Sequence, residues 1–539
     1  MAGSLSTNEI TVGLATIVSV GVAAQWVARR LELPSILLLL PAGIAAGELG
    51  LVDPHALFGD TLFPLVTLLV ALLLFQAALQ LRIAELPPAA RGPVARLVAI
   101  GGTVTFLGAT LAVAALFDMD ASDAFLTGAI LVVSGPTVVG PLVRVMRPRA
   151  PVGPVLNWES TVLDPLGAVL GVVVLNIVVA SARGDLHPAL QLGERLGVGV
   201  VIGAVAAVLL VLVLSRFLVT DDMEAAVALM FAVAAYAVAE VLVSEAGLLA
   251  AVVLGVVVAN QQRVPTAHIS GFGETLEVLI IGILFMVLGA LVPVDDLLDN
   301  LGRIAALVAV LVLVVRPVGV SLALARTGLS RSERILIGGV DPRGIVAAAT
   351  AAQFSGVLAD DGLSNHLLLP VVFGVILGAG VVYGIGAPLL ARLLGVIAPR
   401  PTGVCLIGDE PWVRDLSRQL HARGLPVLRL TTGPPGDALE AARTEQIATI
   451  SVHDSLERVE HAIADAPLAL AIVAAPPAGA VGLLEARLIE DLGRRHVARA
   501  GGTGGRHPRV LIRADGSVHL VARRDRRTAH GDTVVASSL

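Results

Sequence analysis

Residues 155–182 read VLNWESTVLDPLGAVLGVVVLNIVVASA, an apolar run long enough to cross a bilayer that carries two carboxylates, Glu159 and Asp164, in its first half. An ionisable group inside hydrocarbon costs at least a few kcal/mol, so it is kept where it faces a partner, a cavity or a transported ion. The two acids are five positions apart. At about 100° per residue that separates them by roughly 140° around a helix, too far to share one pocket. They are therefore expected to do different jobs. Asn157, Ser160 or Thr161, and Asp164 recur at helical spacing and form a polar face that ends on a carboxylate. Pro165 removes a backbone donor and frees the Thr161 carbonyl for a cation or water. This face reads as an ion site. Glu159 reads instead as a structural acid, satisfied by an arginine on a neighbouring span.

Two other apolar stretches are broken at their centres, SGPTVVGPLVR (134–144) and GGVDPRGIVAA (338–348). Interruptions at matching places in two halves of a membrane chain mark where half-helix ends and freed carbonyls meet an ion near the midplane. Ser134, Thr137 and the carbonyls near Pro136 thus become candidate oxygen ligands, and Asp341 and Arg343 lie in the second break. A lone arginine, Arg316, sits in VLVVRPVGV and needs a buried counter-charge.

These residues must be held by membrane-spanning helices. The 539-residue chain is 56% hydrophobic and 15% charged, with a mean hydropathy of +0.88, which excludes a soluble enzyme for most of its length. About thirteen spans can be drawn, centred near residues 18, 42, 71, 105, 134, 167, 206, 232, 253, 283, 313, 343 and 380; those near 42 and 253 are short. The chain has no lysine, so its 37 basic side chains are all arginine. Alternate loops carry them: Arg29 and Arg30; Arg82, Arg91 and Arg96; Arg144, Arg147 and Arg149; Arg326, Arg331 and Arg334; Arg392 and Arg400. The intervening loops are mostly acidic, with Arg183, Arg195 and Arg303 as exceptions. The positive-inside rule then places the C-terminal part in the cytoplasm and, for an odd span number, the N-terminus outside. The N-terminus lacks the basic segment of a cleaved signal peptide and is expected to be retained. A net charge of −6 with no basic stripe gives no nucleic-acid signal. The single cysteine, Cys405, cannot form an internal disulfide.

After residue 397 the composition changes. APRPTG supplies a linker at 398–402 into a soluble domain at 403–500, followed by a short β-rich tail at 501–539 with a glycine-rich joint at 501–505. Strands are expected at 403–407, 426–430, 448–452 and 467–474, alternating with helices at 411–423, 437–446, 455–464 and 478–494, which implies a small parallel α/β, Rossmann-like sheet.

The membrane part, roughly residues 10–396, resembles NhaP-type monovalent cation:proton antiporters. NWESTVLDP is similar to that family's Glu-Ser-x-x-Asn-Asp helix, SGPTVVGPLVR and DPRGIVA to its two crossing helices, VVRPVGV to its basic helix, and LFQAALQLR to its third span. The resemblance implies inverted repeats with two discontinuous crossing helices, a homodimer, and an elevator-like movement of an ion-carrying core. It carries the proton and cation carrier to Asp164, a ligand to Ser160, and a structural pair to Glu159 and Arg316. Three departures stand out. Leu163 replaces an asparagine, Gly135 an acid, and Gln76 a frequent glutamate, so Asp164 is expected to be the one unpaired acid in the site and exchange to be electroneutral. An oxygen site of this kind suits sodium or potassium.

The soluble segment resembles an RCK (TrkA-N-like) regulatory domain, but GDEPWV (408–413) keeps only the first glycine of a phosphate loop, and Thr431 stands where an acidic ribose ligand is expected. Pro411 and Trp412 are expected to crowd the loop, so no cofactor is assigned and ordinary nucleotide binding is not expected. Two other electrogenic or conductive functions compete, a potassium/proton antiporter moving net charge and an RCK-gated channel. The chain contains no TVGYG filter, and a buried titrating acid suits exchange better than open conduction. With no HExxH pair and no nucleophile beside a base in the spans, it reads as a transporter in the lipid bilayer and not an enzyme.

Overall fold

The computed structural model describes residues 6–499 other than 32, 184–187, 265, 361–365, 399–401, 455–457, 460, 461, 464, 465, 477 and 478, together with 510–512, 518–520 and 533–535. The expected glycine-rich joint, Arg400, much of the β-rich tail and part of the helix at 455–464 lie outside the described residues. The chain divides into two compact units, Met1–Ala398 and Pro399–Leu539.

The first unit is helical. In order it contains α1 (Thr7–Arg30), α2 (Ile36–Glu48), α3 (Pro54–Phe58), α4 (Leu62–Leu79), α5 (Pro88–Arg96), α6 (Gly102–Phe117), α7 (Ala121–Ile130), α8 (Pro136–Met146), α9 (Val152–Arg183), α10 (Pro188–Ser215), α11 (Glu224–Leu242), α12 (Gly247–Asn260), α13 (Ala267–Ala290), α14 (Val294–Asp299), α15 (Leu301–Val310), α16 (Arg316–Leu324), α17 (Arg331–Gly338), α18 (Ile345–Asp360) and α19 (Leu368–Leu393). Among the described residues nine helical segments are long and apolar enough to cross a bilayer. Four shorter apolar helices stand beside them, against an expectation of thirteen spans of which those near 42 and 253 were short. The positions near 42 and 253 fall on the shorter apolar helices Ile36–Glu48 and Gly247–Asn260, while those near 134 and 343 fall in the breaks just before Pro136–Met146 and Ile345–Ala359. At about 1.5 Å per residue, such helices fall short of a hydrocarbon core of about 30 Å.

Two bundles can be distinguished by packing. In one, α13 lies against α1 and α2, while α12 lies against α4 and α10; in the other, α6 through α9 pack together and α19 packs on α15 and α18. The seam between them is made by α4 and α13 on one side and α9 and α18 on the other. Within the second bundle one sequence of elements occurs twice. A long helix with a π turn (Leu97–Gly101 before α6, Leu311–Val315 before α16) precedes a broken pair (α7–α8, α17–α18) and then an uninterrupted helix (α9, α19). The breaks have local causes. Pro136 opens α8 and holds Gly135 extended at φ −90°, ψ 120°, while Pro342 sits in the non-helical 340–344 stretch before α18.

The second unit begins with β1 (Gly403–Ile407), α20 (Pro411–His421), β2 (Val427–Thr431), α21 (Pro435–Glu445), β3 (Ala448–Ser451) and β4 (Leu468–Val473), then a helix at Ala480–Leu492 and β5 (Val497–Arg499). The five strands are parallel in the order β3-β2-β1-β4-β5. Side chains alternate between two apolar cores, as period-2 geometry requires of a sheet covered on both faces. Val404 and Leu406 join Leu416 and Leu420 of α20, whereas Cys405 and Ile407 join Leu484 and Leu488. The short strands β6 (Val510–Ile512), β7 (Val518–Leu520) and β8 (Thr533–Val535) form a separate antiparallel sheet ordered β7-β6-β8.

Candidate ion site at the helix crossing

Asp164 lies in α9, is 4% exposed, and has its Oδ1 buried without a hydrogen-bond partner. One turn earlier, Ser160 and Thr161 are buried, and their hydroxyls donate to the Asn157 carbonyl at 2.9 and 2.7 Å. Because each proton is committed to the backbone, the hydroxyl oxygens keep lone pairs free to accept a proton or face a cation. Asn157 itself is exposed, so it does not join this buried face. Helical spacing aligned it correctly but carried no information on how far neighbouring helices cover that face.

The two interrupted stretches cross beside α9. A Cβ at Gly135 would lie 2.6 Å from the Gly344 Cα, and one at Gly344 would lie 2.7 Å from the Gly135 Cα. Contacts that short leave no room for any side chain. This accounts for glycine at 135 where an acid might have stood. Ser134 is buried and donates to the Pro342 carbonyl at the long distance of 3.5 Å, which ties the two breaks together, while Pro136 and Thr137 are half-buried at the start of α8.

A second polar group surrounds Arg316. Its guanidinium donates to both Glu159 carboxylate oxygens at 2.5 and 2.9 Å and to the carbonyls of Ile337 and Val340 at 3.2 and 3.0 Å. Its Nε is 4.0 Å from Asp341 Oδ2, and Arg343 bonds both oxygens of Asp341, Nη1 to Oδ1 at 3.2 Å and Nη2 to Oδ2 at 3.1 Å. Glu159, Arg316, Asp341 and Arg343 are each no more than 5% exposed. The cluster is charge-balanced, which is the condition under which buried ions are tolerated. Sequence reasoning placed Asp341 and Arg343 at the second break without joining them to the Glu159–Arg316 pair, because the contact needs α17 and α18 brought onto α16.

Glu277 of α13 was missed. It is half-buried, interacts electrostatically with Asp164 across the seam, and lines a small cavity of about 20 Å³ together with Gln76. Gln76 donates to the Ser270 carbonyl at 3.1 Å. Glu277 is thus a second acid within electrostatic reach of Asp164, and it also feels Arg29. The signal was present, since Glu277 interrupts the apolar run LEVLIIGILFMVLG as Asp164 interrupts its own.

In the second unit, the loop after β1 is filled by its own carboxylates. Thr431 and Thr432 hydroxyls donate to Asp409, as does the Thr432 amide at 2.7 Å. Burial would raise the Asp409 carboxyl, but these hydrogen bonds outweigh it and hold the group below its usual range. A Cβ at Gly408 would lie 2.6 Å from Glu410 Oε2, while Trp412 is buried in the α20 core. The loop is thus obstructed by acids, with the Trp412 ring turned into the sheet packing and away from the crowding role expected of it.

Residues 14–393 match the family described as "Sodium/hydrogen exchanger, transmembrane". The chain is 24% identical over 404 residues to the K(+)/H(+) antiporter NhaP of Alkalimonas amylolytica, covering 74% of this chain and 69% of that protein. It is 28% identical over 446 residues to the K(+)/H(+) antiporter NhaP2 of Shewanella sp. (strain ANA-3), covering 79% and 75%. Its fold is similar to that of the sodium proton antiporter MjNhaP1 from Methanocaldococcus jannaschii, with a TM-score of 0.59 at 22% identity over 71% of this chain and 96% of that one.

Proposed function

The chain belongs to the sodium/hydrogen exchanger family, and from that premise we propose that it exchanges sodium or potassium for protons across the cytoplasmic membrane, with Asp164 as the carrier. The observation that carries the assignment is the buried, unpartnered Oδ1 of Asp164 beside two hydroxyls whose protons point elsewhere. A carboxylate so placed takes up a proton or a desolvated cation in turn. Ser160, Thr161, Ser134, Thr137 and the carbonyls near Pro136 complete an oxygen set for a hard monovalent ion. The Glu159–Arg316–Asp341–Arg343 cluster holds the crossing in shape. The relatives named K(+)/H(+) antiporters support potassium as a substrate.

Transport proceeds by an elevator-like movement of the bundle containing α9 and both breaks against the other bundle, in a homodimer. The arginine-rich loops face the cytoplasm, with the N-terminus outside. The soluble unit is a degenerate RCK-like regulatory module; its parallel 3-2-1-4-5 strand order supports this reading, and the carboxylates in its first loop argue against ordinary nucleotide binding.

One carboxylate holding either one proton or one cation makes the exchange electroneutral. The position of Glu277 favours a second reading, in which both acids titrate and two protons move per cation. One experiment addresses both. Proteoliposomes loaded with a pH dye are given sodium or potassium gradients at clamped voltages, and the gradient that nulls proton flux is found. One-for-one exchange leaves the null point fixed. Two-proton exchange shifts it by about 2.3 kcal/mol per 100 mV, and Glu277→Gln then abolishes the shift. Absence of proton movement with either cation overturns the proposal.

A further inference from the structure

Between α16, α17 and α19 lies an open groove of about 650 Å³, within the range of about 300–1,000 Å³ that small-molecule sites occupy. Its walls are apolar, with Val312, Leu313, Pro317 and Val320 on one side and Ala387 and Leu390 on the other. Leu313 is 72% exposed, as suits a helix face turned to acyl chains. Ser321 and Tyr383 add hydroxyls, and the charged members of the lining are Arg331 and Arg334, both contributed by α17. Neither has a carboxylate partner among the described residues; Glu333, between them, is committed to Ser330 in the cap of α17.

An apolar trough with unpaired arginines in its lining matches one ligand chemistry, a phosphodiester headgroup carrying acyl chains. Guanidinium groups bind phosphate oxygens by charge-assisted, often bidentate hydrogen bonds, and basic pockets between transmembrane helices on the cytoplasmic side take anionic headgroups. We propose that this groove binds an anionic phospholipid, its headgroup on Arg331 and Arg334 and an acyl chain along α16 and α19. The inference rests on the chain spanning a bilayer but not on the identity of the transported ion.

The bound lipid braces α17. The Ile337 carbonyl near its C-terminus and the Val340 carbonyl just beyond it receive Arg316, and Tyr383 lies both on the groove and within electrostatic reach of Asp341. Occupancy therefore reaches the charge cluster beside the crossing.

The test uses the full chain purified in detergent, supplied with phosphatidylglycerol or phosphatidylcholine, with retained lipid counted by native mass spectrometry. Wild type should retain phosphatidylglycerol over phosphatidylcholine. Arg331→Ala with Arg334→Ala removes the headgroup contacts, expected to weaken retention by roughly fivefold per arginine, about thirtyfold together. Gly386→Phe leaves both arginines and fills the groove, since a Cβ at Gly386 meets nothing within 4 Å; it should lower retention as well. Equal retention of the two lipids by wild type overturns the proposal, as does a Gly386→Phe protein that holds phosphatidylglycerol as wild type does. Displacement of the lipid by inorganic phosphate alone would assign the arginines to a free anion and overturn it too.

Discussion

Asp164 has a buried carboxylate oxygen with nothing to bond, whereas the carboxylates of Glu159 and Asp341 are answered by Arg316 and Arg343. Asp164→Asn keeps the shape of the side chain but cannot alternate between proton and cation. Exchange should disappear while the purified protein keeps its elution profile and helical content; near-normal cation-driven proton movement in proteoliposomes would remove Asp164 from the mechanism. Glu159 and Arg316 should behave oppositely. Removing one partner orphans a buried charge and costs roughly 3–5 kcal/mol. The double variant Glu159→Gln, Arg316→Met leaves Asp341 paired with Arg343, so its thermal stability should exceed that of either single variant. In the soluble unit, Asp409 makes a pH-dependent contribution. Its folded-state pKa is depressed, so the stabilisation is fully present above the unfolded value of about 3.9 and is lost as pH falls through the folded value. Hydrogen exchange of the β2 amides in the full chain should accelerate as pH drops below about 4, after correction for intrinsic rates. In Asp409→Asn that acceleration should be smaller, with lower protection already at neutral pH.

At the scale of elements, two broken helices cross at a pair of glycines. Gly135→Ala places a methyl group 2.6 Å from the Gly344 Cα, backbone against backbone, so neither partner has a flexible end to yield. Overpacking of this kind costs about 1–3 kcal/mol. A shift of the two breaks would also displace Ser134 and the start of α8, which supply oxygens to the proposed ion site. Gly135→Ala should therefore lose more transport than stability: a melting temperature within several degrees of wild type, with exchange reduced at least tenfold. Wild-type exchange from a folded Gly135→Ala protein would show that the close approach does not matter to the site. The same proximity gives a physical reason for the missing acid at 135.

At the scale of the whole molecule, every group assigned to transport lies in the Met1–Ala398 unit. A chain ending near residue 400 should still exchange cations for protons, with an altered pH or cation dependence of rate. Complete loss of exchange by a well-folded truncation would make the soluble unit part of the cycle. Within the membrane unit, the seam of α4 and α13 against α9 and α18 brings Glu277 toward Asp164, 113 positions apart in the chain.

Much of this protein is legible without its structure, for local reasons. Acids inside apolar runs are costly wherever the chain goes, so Asp164 and Glu159 declare themselves, and the same rule should have been applied to Glu277. Proline and glycine interrupt helices by their own covalent geometry, so both breaks can be read from residues 134–144 and 338–348. The strands at Gly403–Ile407 and Leu468–Val473 follow from continuous apolar runs punctuated by turns. Only tertiary structure decided the rest. Whether Asn157 is covered, whether Gly135 meets Gly344, and whether Asp341 and Arg343 complete a balanced cluster depend on which helices pack together. Hydropathy registers apolar length alone, whereas the breaks and the 13- and 14-residue helices α2 and α12 take their place from neighbours. Periodicity describes one helix at a time, and an ion site built at a crossing belongs to several.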